Sequence, residues 1–449
     1  MLSPLYIAIS LSFFTFALSQ APLEVLSFSF INFTLADEKD YASYIESKTY
    51  EHVAPAGIKV YQDQLFVSFP RWTSSKTPAT LAKYDNTTKT FLPFPSEYLN
   101  NVNNPQALKS VLGFEITPNG WMWILDQARI EGKPASVADV RLIIFDLKTN
   151  QIRRIAHLPS TLVNSQTSFL NDLVVDTDKL IAYIADSGVH VDSSKQAIGA
   201  IYAYNYENDV FQQIITGEAA NSDETVWIKI KDQKVFDHSP MLTGADGIAL
   251  SCDFSTLYFC PLTSRKLWSM DVSSFRNVMP RGSAELTPLL VGTKGFASDG
   301  LIVTSNNYLY LSDLESSRVV RTDLNTKSGK FLSDSEVFSH TSTAWPDTFA
   351  VSNGKLYVVT NQLHNWLEKR INFEDEDNFQ ILIYDLGDSA INSYTNGCVS
   401  RGFVIPWYYV LLGITVVLLS VFLYWVISKF CRKTPHSISN SGPGYVKVL

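Results

Sequence analysis

Four pairs of adjacent residues, most of them polar, stand where apolar segments begin in this sequence. They are Asn171-Asp172, Asp246-Gly247, Asp299-Gly300 and Asp347-Thr348. Carboxylate and amide oxygens suit a calcium ion, and a carboxylate is also a counter-charge for an ammonium group. Either chemistry needs several of these side chains in one place. Asp and Asn also satisfy the backbone of turns, so any single pair has a purely local explanation.

Common catalytic motifs are absent from the sequence. It contains no GxSxG elbow, P-loop, HExxH or dinucleotide-binding glycine pattern, and its seven histidines are scattered. With 36 Lys+Arg against 44 Asp+Glu, the formal charge of −8 disfavours nucleic acid as a partner. The four cysteines are too few for a disulfide scaffold, and hairpin register disfavours a bridge between Cys252 and Cys260.

Each of these polar pairs stands at the start of one copy of a repeated unit. Short strands rich in Val, Ile, Leu, Tyr and Phe alternate with polar turns, which predicts an all-β chain. We count six copies, at 57–72, 113–127, 171–188, 246–262, 299–314 and 347–363. This spacing predicts a six-bladed β-propeller over 20–390, in which a strand at 23–33 completes the last blade with 380–386. An array of β-sandwiches is the alternative, and the lack of linkers disfavours it.

In a propeller the innermost strand of every blade starts at the same rim of the central channel, so the polar pairs should converge there. Trp345, Phe349 and Tyr258 are the aromatic side chains that we expect nearby. The predicted ligand-binding residues are Asn171, Asp172, Asp246, Asp347, Thr348, Trp345, Phe349 and Tyr258.

The motifs of these repeats resemble a known family. LFVSFPRW, PATLAKYD, GWMWILDQAR, RLIIFDLKTNQIRRI, SFLNDLVVD, DGIALSCDFSTLYFCPLTSRKLW and AWPDTFAVSNGKLYVV are similar, in order, to the yellow / major royal jelly protein family. The resemblance implies a secreted six-bladed propeller. Some members of that family act on dopachrome and some bind biogenic amines. The layout is also similar to gluconolactonase-like propellers, which hold a divalent cation at this rim.

Three functions therefore stay open. The preferred one is a non-catalytic or weakly catalytic propeller that binds a small polar or aromatic molecule, such as an amine, at its channel mouth. The second is a lactonase or dopachrome-type tautomerase in which Asn171, Asp246 and Asp347 hold a divalent cation, for which calcium is the candidate. The third is a protein-interaction surface.

The two ends of the chain carry targeting signals. Residues 1–19 resemble a cleaved signal peptide, with an uncleaved anchor as the alternative. After a stalk at 391–401, the uncharged apolar run at 402–428 predicts a single transmembrane helix and a cytoplasmic tail at 429–449, with a buried core helix as the alternative. This topology predicts a secretory-pathway membrane protein at the cell surface or in endosomes and lysosomes.

Two short motif types agree with that topology. Asn32 and Asn86 begin Asn-x-Thr sequons and are predicted glycan acceptors. Tyr445 and Val448 form a Gly-Tyr-x-x-apolar pattern that resembles a sorting signal for clathrin adaptors, with an inert tail as the alternative.

Overall fold

A computed structural model describes residues 20–189, 197–277, 286–325, 336–341, 344–374, 377–387, 398 and 407–431. The chain divides into two compact units, Met1–Val399 and Ser400–Leu449. The predicted signal segment at 1–19, nearly all of the predicted stalk, and the predicted sorting residues Tyr445 and Val448 lie outside the described residues.

The first unit contains six antiparallel four-stranded sheets. In chain order the strands are β1 (Glu24–Phe28), β2 (Ile58–Tyr61), β3 (Gln64–Ser68), β4 (Leu81–Asp85), β5 (Thr90–Pro93), β6 (Val111–Ile116), β7 (Trp121–Asp126), β8 (Arg141–Asp146), β9 (Gln151–His157), β10 (Leu170–Asp176), β11 (Ile181–Asp186), β12 (Ala200–Asn205), β13 (Val210–Ile215), β14 (Lys229–Ile230), β15 (Gln233–Lys234), β16 (Ala245–Leu250), β17 (Thr256–Pro261), β18 (Lys266–Asp271), β19 (Leu289–Thr293), β20 (Leu301–Val303), β21 (Tyr308–Asp313), β22 (Arg318–Asp323), β23 (Glu336–His340), β24 (Trp345–Ser352), β25 (Lys355–Asn361) and β26 (Phe379–Asp385). Five sheets take four consecutive strands each, and β14 and β15 form a separate hairpin. The predicted six-bladed propeller is confirmed.

The sixth blade closes the ring with strands from both ends of the propeller. Its sheet runs in the order β24, β25, β26 and β1, and β1 is antiparallel to β26 with Leu26 opposite Ile381. The N-terminal strand is therefore the outermost strand of the last blade. The predicted pairing of 23–33 with 380–386 is confirmed.

The burial of each strand follows its place in the blade. All six residues of β11 are buried, whereas most of the outer strand β9 is exposed. Neighbouring blades cover both faces of the middle strands, so these strands are apolar at consecutive positions instead of alternate ones. This explains why the second strand of each repeat is the clearest signal in the sequence.

Short helices lie between some strands. They are α1 (Glu38–Glu46), α2 (Glu97–Asn100), α3 (Ser273–Asn277) and α4 (Leu363–Leu367), with 3-10 turns at Thr49–His52, Val137–Asp139 and Gly217–Ala219. Helix α1 begins after Asp37, whose side chain accepts a hydrogen bond from the Lys39 amide at 2.8 Å. The negative charges of Glu38 and Asp40 in its first turn interact favourably with the positive end of the helix dipole.

A disulfide joins Cys252, next to the β16–β17 turn, to Cys398, 146 residues later. Cys260 is buried and has a free thiol. A bridge between Cys252 and Cys260 is therefore absent, as the hairpin register indicated.

The run predicted to cross a membrane, 402–428, overlaps helix α5 (Trp407–Cys431) of the second unit. In the part of the chain that the structure describes, no helix has the apolar length that a membrane crossing requires. The predicted transmembrane helix is therefore not supported.

The two sequons differ in their surroundings. Asn86 is exposed in the turn between β4 and β5. Asn32 is half-buried, and its Oδ1 atom is inaccessible to solvent. Glycan attachment at either residue stays a prediction, and the geometry favours Asn86.

Candidate functional site

Irregular backbone places the polar pairs at the channel. The register of four inner strands shifts at the same point, between Val111 and Phe114, Leu170 and Leu173, Ala245 and Ile248, and Pro346 and Thr348. Such β-bulges change the direction of a side chain without ending the strand. Three of the predicted pairs contribute residues to these shifts, which is how Asn171, Asp246 and Asp347 reach the channel.

These side chains form the floor of one cavity. Asn171, Asp246, Asp299 and Asp347 line a cavity of about 550 Å³. Each belongs to a different blade, so the carboxylates come together only when the ring closes. The predicted convergence of the polar pairs is observed in the structure.

Hydrogen bonds connect the floor residues to one another. Asn171 Nδ2 donates to Asp246 Oδ2 at 2.6 Å and to Ser187 Oγ at 3.0 Å. The carboxyl groups of Asp246 and Asp299 interact with each other, and each affects the pKa of the other. Trp345 Nε1 donates to Asp299 Oδ2 at 2.6 Å. The carboxylates are thus fixed by neighbours on adjacent blades.

Asp347 is held separately. Its Oδ2 atom accepts a hydrogen bond from Asn361 Nδ2 at 2.9 Å, and its Oδ1 atom accepts one from Thr348 Oγ1 at 3.0 Å. Asn361 also donates to the carbonyl of Pro55 at 2.8 Å, which joins the sixth blade to the first. The orientation of Asp347 therefore depends on ring closure.

The three buried carboxyl groups have strongly perturbed acidities. Burial raises the pKa of Asp246, Asp299 and Asp347 well above the usual range, and neighbouring carboxylates raise the pKa further. The hydrogen bond from Trp345 opposes this rise at Asp299. A carboxyl group whose pKa is raised by burial and by like charges favours its neutral form. The floor is therefore a group of coupled acidic side chains.

Aromatic and aliphatic side chains form the walls. Trp72, Phe169, Phe236, Met241 and Leu363 line the cavity. They come from loops and from the start of α4, not from repeat-equivalent positions. The cavity therefore combines an acidic floor with apolar sides.

The connection from β13 to β16 covers the cavity. This segment supplies Phe236 and Met241 to the wall. Its β14–β15 hairpin packs Ile230 into the same apolar cluster as Trp366, on the far side of the ring. The Lys229 amide donates to Glu315 Oε1 at 3.2 Å. The cover thus spans several blades.

The basic residue that lines this cavity, Arg129, forms hydrogen bonds with backbone carbonyls and not with the acidic floor. Arg129 lines the cavity, but its guanidinium donates to the carbonyls of Ser165, Gln166 and Ser168. Among the described residues, no lysine or arginine bonds to Asp246, Asp299 or Asp347. In the part of the chain that the structure describes, the acidic floor therefore has no lysine or arginine bonded to it.

The channel narrows directly below the floor. A Cβ atom at Gly113, Gly247 or Gly300 would lie 2.4, 2.1 or 2.3 Å from a carbonyl oxygen of the next blade. Only glycine permits this approach. Asp172 and Thr348 line a void of about 10 Å³ at this level and not the cavity above it.

The remaining predicted residues lie away from the cavity. Trp345 is completely buried, and its indole N–H donates a hydrogen bond to Asp299 instead of facing the cavity. Phe349 packs with Tyr310 and Val358, and Tyr258 packs beside Cys260 in another cluster. None of the three aromatic residues is among those that line the cavity.

Several cavity residues were not predicted. Asp299 belongs to one of the four polar pairs but not to the predicted ligand-binding set. Trp72, Phe169, Phe236 and Arg129 occupy loops without a repeat pattern, so only tertiary structure identifies them.

Metal binding has no independent structural support. Within the described ranges, no group of three or more His, Cys, Asp or Glu side chains is arranged to hold a metal ion. The predicted set contains the amide of Asn171 with the carboxylates of Asp246 and Asp347, so it stays a prediction. Their oxygens suit a hard cation chemically, but in this structure the polar groups bond to one another.

Fold and site together define a six-bladed β-propeller with an acidic-floored cavity at its channel mouth. The family model described as "Major royal jelly protein" matches residues 109–393. The chain belongs to the major royal jelly protein family.

The relatives are distant. Major royal jelly protein 3 of Apis mellifera is 21% identical over 300 residues, which cover 63% of this chain and 51% of that protein. Major royal jelly protein 7 of Apis mellifera is 21% identical over 81% of this chain and 85% of its own length. Protein yellow of Drosophila melanogaster is 23% identical over 56% of this chain and 47% of its own length. This chain thus spans about half the length of the first and third of these relatives.

Two solved structures are similar at lower identity. A luciferin-regenerating enzyme has a TM-score of 0.47 and 12% identity, covering 77% of this chain and 94% of that one. The calcium-binding protein regucalcin from Agrobacterium tumefaciens has a TM-score of 0.46 and 11% identity, covering 78% and 94%.

Proposed function

We propose that this propeller binds a small organic cation with an aromatic or apolar body in its upper cavity, without catalysis or with weak catalysis. The observation that carries the proposal is the set of three buried carboxyl groups at the floor of an apolar-walled cavity. No described basic side chain bonds to them. A bound ammonium group would supply the missing positive charge.

The two parts of the cavity suit the two parts of such a ligand. Asp347 would accept a hydrogen bond from the ammonium, and Asn171 would add a polar contact. Trp72 and Phe169, whose ring centroids are 6.3 Å apart, offer aromatic surface to the organic body. A cation-π contact contributes about 0.5–2 kcal/mol. A hydrogen bond to a charged group contributes about 1.5–3 kcal/mol.

Calorimetry on the purified full-length chain tests the proposal with tyramine as the probe. We expect tyramine to bind and 4-ethylphenol, which lacks the amine, to bind much more weakly. Asp347→Asn should lower the affinity for tyramine about 10- to 150-fold, the equivalent of one charged hydrogen bond. Glu207→Gln, a substitution at an exposed carboxylate in the β12–β13 turn, is the matched control and should leave the affinity unchanged.

The same assay separates the other two functions. Tyramine binding that is indifferent to EDTA supports the binding protein. Turnover of a lactone or dopachrome that EDTA abolishes and calcium restores would favour a metal-assisted enzyme over a binding protein. If neither amine, calcium nor substrate interacts with a folded protein, the cavity proposal fails and a protein-interaction propeller becomes the better reading.

A further inference from the structure

A second cavity lies at the opposite mouth of the channel. It has a volume of about 280 Å³ and is formed where the inner strands of blades one, two, five and six end. Lys59 and Glu115 line it, together with Ile116, Ile302 and Val351. Polar residues line it as well, namely Gln62, Thr117, Ser352 and Asn353. The cavity therefore combines apolar side chains with polar groups and one pair of opposite charges.

The charged pair interrupts an otherwise apolar ring. Lys59 and Glu115 lie two residues after Gly57 and Gly113, at equivalent positions of the first two inner strands. In the other four blades, the equivalent residues are Val174, Ala249, Ile302 and Ala350. The side chains of Lys59 and Glu115 are 10% and 7% exposed. Two charges are thus almost fully buried at one end of the channel.

The ammonium group of Lys59 makes one hydrogen bond within the part of the chain that the structure describes. Its Nζ atom donates to the carbonyl of Phe349 at 3.1 Å. The distance from Nζ to Glu115 Oε2 is 3.7 Å, which is an ion-pair distance and too long for a hydrogen bond. An ammonium group carries three N–H donors, and a buried donor without an acceptor is costly. Lys59 therefore favours an additional acceptor from the cavity.

We propose that this lower cavity binds a small zwitterion of the α-amino-acid type. Its carboxylate accepts hydrogen bonds from Lys59, its ammonium group lies beside Glu115, and its apolar side chain packs against Ile116, Ile302 and Val351. The carboxylate of Glu115 repels a simple anion, and the ammonium group of Lys59 repels a simple cation. The charged pair thus selects ligands that carry both charges.

The lower cavity is separate from the proposed amine site. Between them, Gly57, Gly113 and Gly300 bring the inner strands so close that a void of only about 10 Å³ remains. That volume is about the space of one water molecule. A ligand in one cavity does not reach the other, so this proposal does not depend on the upper site.

Calorimetry with three matched probes tests it on the full-length chain. L-leucine carries both charges, 4-methylpentanoate lacks the ammonium group, and 3-methylbutylamine lacks the carboxylate. We expect leucine to bind at least about tenfold more tightly than either analogue, since each analogue lacks the charge that faces one member of the pair. Equal affinity for the three probes, or no leucine binding to folded protein, would overturn the proposal.

Two lysine variants test whether leucine binds in this cavity. Lys59→Met should weaken leucine binding at least about tenfold. Lys76→Met, at an exposed lysine, is the control and should not change it. Folding of each variant is checked by its thermal transition, and the probe series on the unaltered chain stands if Lys59→Met does not fold. Leucine binding that survives in folded Lys59→Met, or that tyramine displaces competitively, would place leucine elsewhere and refute the site.

Discussion

The hydrogen bond from Trp345 to Asp299 offers a direct test of how the cavity floor is held. Trp345→Phe keeps an aromatic ring but removes the Nε1 donor, which lies 2.6 Å from Asp299 Oδ2. Trp345 is completely buried, so water does not replace the lost donor. The loss of a buried hydrogen bond to an ionisable group costs about 1.5–3 kcal/mol, in addition to the cost of the smaller ring.

A second buried tryptophan isolates that hydrogen bond. Trp123 is also completely buried, but its Nε1 atom has no hydrogen-bond partner among the described residues. Trp123→Phe therefore removes the same atoms without removing a hydrogen bond. Chemical denaturation should show that Trp345→Phe lowers the free energy of unfolding by about 1.5–3 kcal/mol more than Trp123→Phe does. Equal losses in the two variants would refute the role given to Trp345.

The pH dependence supplies an independent check. An aspartic acid whose pKa is raised by folding costs stability as pH rises above its unfolded pKa, about 4. The Trp345 hydrogen bond lowers the pKa of Asp299, so its loss raises that pKa further and increases the cost. The difference between the two variants should grow as pH rises through the raised pKa of Asp299 and be smallest near its unfolded pKa of about 4. A difference that grows as pH falls would contradict this assignment.

Three further predictions concern the scaffold and the surface. Gly247→Ala should lower the free energy of unfolding by at least about 1–3 kcal/mol, because its Cβ would lie 2.1 Å from the Asp299 carbonyl oxygen. Gly295→Ala, with no atom within 4 Å, is the denaturation control and should be nearly neutral. Cys260 should resist iodoacetamide in the native protein and react after unfolding, because the thiol is buried and burial raises its pKa. Mass spectrometry of the digested protein measures the extent of alkylation. Asn86 should carry a glycan when the chain is expressed in a secretory host, as a glycosidase-sensitive mass shift that Asn86→Gln abolishes; its absence there would remove the support for export.

Local sequence patterns were enough to predict the blades. Each blade is built from consecutive strands joined by short turns, so apolar runs and turn residues carry its signal. The closing strand was predictable as well, because 23–33 had no partner within its own repeat. The polar pairs pointed to Asn171, Asp246 and Asp347 because equivalent inner strands start at one rim.

Hydropathy was less reliable outside the repeats. The apolar run at 402–428 predicted a membrane-spanning helix, and helix α5 overlaps it, but no described helix has the apolar length for a crossing. The sequence pattern located the helix without establishing its environment.

Contacts between blades depended on the tertiary structure. Trp345 was expected to face a ligand, but its indole N–H is directed at Asp299 on the neighbouring blade. Trp72 and Phe169 reach the cavity from loops of different blades. Lys59 and Glu115 become a buried ion pair across two adjacent inner strands. Cys252 finds its disulfide partner 146 residues away. Such contacts are set by the closure of the ring, which brings together side chains whose local sequences contain no information about each other. The sequence by itself therefore determined the repeating blade, and only the packing of six blades around one axis decided which side chains share the two cavities.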